Sequence, residues 1–74
     1  MPKDYFGKEL NVGDKVVYPT YESGNVLLEH GLIHTFTLDR YGNMLEIERA
    51  AVRDYGSNEH ELDSIRDYNT VKIE

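Results

Sequence analysis

The sequence predicts one small all-β domain, a barrel or sandwich of about five short strands with one irregular or short helical segment before the last. Three observations predict it. Glycine punctuates the chain at positions 7, 13, 24, 31, 42 and 56, and short runs rich in Val, Ile, Thr, Tyr and Phe lie between, as turns alternate with strands. The chain has 74 residues, enough for one domain, and buries only about 60% of its unfolded surface at that size. Leu, Ile, Val and Phe make up about 26% of it, above the roughly 20% below which chains rarely fold.

Taken in order, Asn11-Val12-Gly13-Asp14 is a turn, because glycine tolerates backbone angles that β-branched residues resist. It feeds a strand over Lys15-Val16-Val17-Tyr18, which Pro19 is expected to end by withdrawing a ladder donor. Glu22-Ser23-Gly24-Asn25 reads as the next loop. Residues 26–38 form one bent strand or two strands broken at Gly31. Their alternation slips phase: Val26, Leu28, Leu32, Phe36 and Leu38 share one parity, while Leu27 and Ile33 have the other. A bulge or kink near Gly31 would reconcile them. Arg40-Tyr41-Gly42-Asn43 is a tight turn. Residues 44–49 then alternate, with Leu45 and Ile47 on one face and Glu46 and Glu48 on the other.

Residues 49–68 are ambiguous. Residues 49–56 contain good helix formers before Gly56, and Asn58-Glu59-His60-Glu61 has the form of a capping box. Leu62 and Ile65 suit one helical turn, but a strand or loop over 63–66 is favoured, because any helix there is short and poorly amphipathic. Thr70-Val71-Lys72-Ile73-Glu74 alternates and closes the sheet as a terminal strand.

Composition excludes several functions. With no cysteine, neither a disulfide framework nor a zinc knuckle holds the fold. Apolar runs stop at three residues, as in Val26-Leu27-Leu28, so no membrane-spanning helix or secretory segment is expected. Met1-Pro2-Lys3-Asp4 reads as a cytosolic N-terminus, and a cytoplasmic location is expected. His30 and His34 stand about 13 Å apart on a strand, too far to share a metal. No nucleophile elbow surrounds Ser23, Ser57 or Ser64, and no phosphate-cradling glycine loop is present. The chain is expected to be no enzyme and to need no cofactor.

Eight basic against fourteen acidic side chains leave a net charge of −6, and the deficit is steeper in residues 39–74 than in 1–38. Binding a polyanion depends on Lys and Arg neutralising phosphates, so nucleic acid is a poor match despite six tyrosines. An acidic surface instead attracts partners with basic surfaces.

Two stretches carry resemblances. Residues 4–18, Asp4-Tyr5-Phe6-Gly7-Lys8-Glu9-Leu10-Asn11-Val12-Gly13-Asp14-Lys15-Val16-Val17-Tyr18, resemble the opening of many small bacteriophage accessory proteins with an SH3-like barrel. Those begin with a Phe-Gly turn and Leu-x-Val-Gly-Asp-x-Val-Val. The later Leu28-Glu29-His30-Gly31, Phe36-Thr37 and Val71-Lys72-Ile73 fit the same pattern. Residues 48–68 depart from it, being longer and more acidic. The stretch from Val12 to Leu28 is also similar to the middle of bacterial co-chaperonins, although this chain is too short for that barrel and its roof.

The first resemblance implies a small SH3-like β-barrel that binds a protein and inhibits or modulates a bacterial host factor, in the host cytoplasm and by acidic DNA mimicry in one version. Tyr41, Glu46, Glu48, Asp54, Tyr55, Glu59, Glu61 and Asp63 are the candidate contact residues, because tyrosine favours interface cores and the acids cluster there. A nucleic-acid-binding barrel and a homo-oligomer pairing through an open edge strand are the alternatives.

Overall fold

The computed structural model describes residues 1–50 and 62–73. Its strands are β1 (Lys15–Glu22), β2 (Asn25–Asp39), β3 (Gly42–Arg49), β4 (Leu62–Arg66) and β5 (Val71–Ile73), with one 3-10 turn (Asp67–Asn69) before β5. All neighbours are antiparallel, in the order β4-β3-β2-β1-β5. This is the small SH3-like barrel the sequence predicts. The ambiguous segment 62–66 is a strand, and Leu62 on it is exposed. The helix and capping-box readings of 49–61 fall largely outside the described residues. No helix among the described residues is long and apolar enough to cross a membrane.

The turns follow from local chemistry. Ser23 and Gly24 both take positive φ, +51° and +80°, which matches the twist of the flanking strands in a two-residue hairpin. At the β2–β3 turn, Asp39 Oδ1 accepts the Tyr41 N–H at 2.8 Å and holds the backbone in the turn.

Two expectations about strands change. Pro19 does not end β1, which runs on to Glu22. β5 covers β1 only from Lys15 to Val17, so beyond Val17 one side of β1 is an edge, where proline's missing donor is tolerated. The phase slip is real, but it is resolved at His34: the register jumps between Ile33 and Thr35. Gly31 has another task. A Cβ there would collide with the Glu48 backbone carbonyl and meet Ile47 Cγ2 at 2.9 Å, so only glycine lets β2 and β3 approach this closely.

Bending is unavoidable. A straight strand of 15 residues would run about 50 Å, whereas the longest dimension of the molecule is 36 Å. β2 pairs with β1 along one half and with β3 along the other. Its bend curls the β1–β5 side over the β3–β4 side. The curl encloses Leu10, Val16, Tyr18, Ile33, Leu45 and Ile47, with Phe36 and Ile65 packed against them.

Candidate functional site

Strand parity sets the most polar feature of the interior. Tyr18 has the parity of Val16 and Arg49 that of Leu45 and Ile47, while Asp63 lies directly beside Ile47. All three therefore point inward. Arg49 Nε and Nη2 reach Asp63 Oδ2 and Oδ1, both at 2.9 Å, in a two-pronged ion pair. The Tyr18 hydroxyl donates to Asp63 Oδ2 at 2.7 Å. Burial pushes the Tyr18 phenol well above its ordinary value, and the hydrogen bond to the Asp63 carboxylate pushes it further. The hydroxyl is thus a fixed neutral donor, unsuited to exchanging protons.

This cluster spans a seam. β1 and β4 are separated by β2 and β3 in the sheet, and curling brings them face to face without pairing. Between them lies a cleft of about 520 Å³, walled by Pro19, Thr20 and Tyr21 on one side and Ser64, Ile65 and Arg66 on the other. Asn69 of the 3-10 turn, Met44, Arg49 and Asp63 complete it. Thr20 Oγ1 is buried there without a hydrogen-bond partner among the described residues, an unusual state for a buried hydroxyl. Arg66 is held at the rim by Asp39, at 2.8 and 3.0 Å, and lies 5.7 Å from the centre of the Tyr41 ring. The hydrogen bond from Arg66 and that from the Tyr41 N–H hold the Asp39 carboxyl below its ordinary pKa. Both arginines of the cleft thus face carboxylates.

The predicted contact residues separate. Tyr41 is exposed on the β2–β3 turn, next to the cleft rim. Glu46 is exposed and Glu48 half-buried on the outer face of β3. Asp54, Tyr55, Glu59 and Glu61 lie outside the described residues. Asp63 is corrected: it is no part of an outer acidic face, because its strand turns it inward to Arg49 and Tyr18. Parity with Ile65 was the signal that could have placed it.

The other aspartates behave alike. Asp4 is buried and accepts the backbone N–H groups of Phe6, Lys8 and Lys72 at 2.9, 2.8 and 2.9 Å. Burial alone would raise its pKa, but the three backbone donors, with the Lys8 charge, outweigh it and hold the carboxyl below its ordinary value. Asp67 accepts from the backbone of Lys3 and Tyr68 and the Asn43 amide, and Asp14 pairs with Lys72 at 3.4 Å. Among the described residues every aspartate is engaged in a hydrogen bond or ion pair within the fold, Asp39 while exposed at the surface. His30 and His34 are both exposed on β2, and no group of three potential metal ligands occurs among the described residues.

Neither the curated proteins nor the solved structures hold a match to this chain. The family described as "Domain of unknown function (DUF7205)" matches residues 2–73. That span takes in every strand, the inward cluster and both walls of the cleft, and the chain belongs to the DUF7205 family.

Proposed function

We propose that the chain is a non-catalytic protein-binding module that receives an extended segment of a partner protein in the cleft between β1 and β4. One observation carries this reading: two strand edges, unpaired among the described residues, face each other across the cleft. Unpaired strand edges are templates for an added strand, with main-chain hydrogen bonds giving affinity and side-chain pockets giving selectivity. Thr20 Oγ1 supplies a buried polar group that lacks a partner among the described residues, and Tyr21 and Tyr41 supply exposed rings nearby.

Exposed Glu46 lies beside Ser64 of the cleft wall and favours a basic residue in the incoming segment. With the resemblance to small phage proteins, the partner is a bacterial host protein with a basic surface, which the module inhibits or modulates in the host cytoplasm. Mimicry of DNA charge has less support, since the described aspartates are engaged within the fold.

The test is affinity capture from a bacterial lysate with the tagged chain, beside Thr20→Arg, which puts a long side chain into the cleft from its wall, and Tyr21→Ala. Capture of the dominant protein should fall about tenfold, a loss of ~1.4 kcal/mol, in both variants and stay unchanged in Tyr5→Ala, with all folds checked by circular dichroism. Unchanged capture by both cleft variants overturns the reading. So does firm retention of the wild-type chain on DNA at moderate salt, which would favour nucleic acid.

A further inference from the structure

We infer that the partner segment held in the cleft is the N-terminal end of a chain, laid parallel to β1 with its free α-amino group at Pro19. This rests on the cleft reading above and adds which end of a chain enters, and in which direction.

The hairpin fixes where each main-chain group of β1 points. Ser23 and Gly24 form a two-residue turn, so the residues that flank it, Glu22 and Asn25, exchange hydrogen bonds. Bonded pairs alternate along an antiparallel ladder. Thr20, Tyr18 and Val16 therefore bond to β2, and the main-chain groups of Tyr21, Pro19, Val17 and Lys15 face the other way. Two observations agree with this parity. Val17 and Lys15 pair with Val71 and Ile73 of β5. His30, opposite Val17, accepts the Ala50 N–H on the far side of β2.

Beyond Val17 this edge is open among the described residues. It offers the C=O of Pro19 and both the N–H and C=O of Tyr21, because proline has no N–H. The lane along the edge is closed at the Pro19 end. β5 fills it from Val71 onward, and buried Thr70 and cleft-lining Asn69 stand just before Val71. The other end runs out toward the exposed Ser23–Gly24 turn. A segment that follows the edge has to stop at Pro19.

An antiparallel segment would bring its C-terminus there. Its last carbonyl or carboxylate would find no donor on Pro19, and both arginines that line the cleft already hold Asp63 and Asp39. A parallel segment fits group for group, since in parallel pairing one residue bonds to the two that flank its partner. The first residue donates an ammonium N–H to the Pro19 C=O and accepts the Tyr21 N–H on its own C=O. The third residue donates its N–H to the Tyr21 C=O. Only a residue before the first would need a donor from Pro19, and a chain that begins here has none. The net charge of −6 also favours an ammonium over a carboxylate. Capture of an N-terminal amine by main-chain groups is a recurring mode of peptide recognition.

The test passes two random octapeptide libraries, one with free amino termini and one N-acetylated, over the immobilised full chain. The free library should be retained and the acetylated one depleted. For individual retained peptides, acetylation or a Gly-Gly extension before the first residue should weaken binding about tenfold or more, the scale of one hydrogen bond to a charged group. Amidating the C-terminus should change nothing. Binding of the free form should also weaken as pH rises through the α-amino pKa of about 8. Retained peptides that tolerate acetylation and extension, or that lose affinity on amidation, overturn the inference. The cleft reading survives that outcome if Thr20→Arg abolishes their binding. Retention of neither library overturns both.

Discussion

At the residue scale, aspartate is the structural currency of this chain. Its short carboxylate reaches backbone N–H groups that longer glutamate would overshoot, and Asp4 shows the result by joining the N-terminal turn to β5. Asp4→Asn keeps the size but replaces one acceptor oxygen with an NH₂ group that faces donors. It should lower stability by about 3 kcal/mol, within the range for hydrogen bonds to charged groups and an unpaired buried donor. The pH dependence follows from the lowered pKa. A carboxyl whose folded pKa lies below its unfolded value stabilises the fold fully above the ordinary aspartate pKa of 3.8 and loses that contribution as pH falls through the folded value. Urea midpoints measured from pH 7 down to acid should therefore fall less steeply below pH ~4 in Asp4→Asn than in the wild type.

At the element scale, β2 is where the fold is decided. Gly31 brings the β3 backbone against it, and the bulge at His34 turns the strand. Gly31→Ala should cost about 2 kcal/mol or more, because a backbone carbonyl cannot move aside as a side chain can. A drop in urea midpoint with an unchanged denaturant slope would check it. Much of this scale was legible in the sequence. Gly24 and Gly42 marked the hairpin turns, and the parity of Leu45 and Ile47 marked the inner face of β3. The limit of β5 was not legible, so Pro19 read as a stop when it sits on an edge. Parity also pointed Arg49 and Asp63 inward, but their charge argued for the surface. Only their pairing, across 14 residues, reconciles the two. The cleft left no local mark, since its walls are 45 positions apart in sequence, the separation of Tyr18 and Asp63.

At the scale of the whole molecule, the Tyr18–Asp63–Arg49 cluster clamps the curled sheet where no ladder does. Arg49→Met should destabilise by roughly 3–5 kcal/mol, because it takes the two-pronged cation away from a mostly buried carboxylate. Arg49→Met with Asp63→Leu should be less destabilised than Arg49→Met alone, since neither charge of the pair remains buried, while the Tyr18 hydroxyl loses its acceptor. Equal or greater loss in the double variant, by urea unfolding, would show that the ion pair contributes more than its desolvation removes.

The link from Asp4 to Lys72 also bears on how the protein is made. Its two ends are 68 positions apart, and the first turn finds its backbone partner only when β5 exists. On the ribosome, an emerging chain that stops short of residue 72 has β1 and β2 but no β5 beside them. Such a chain carries Leu28, Leu32 and an uncovered β1 into the crowded cell, so the emergence of β5, rather than formation of the hairpins, times the arrival of the folded domain.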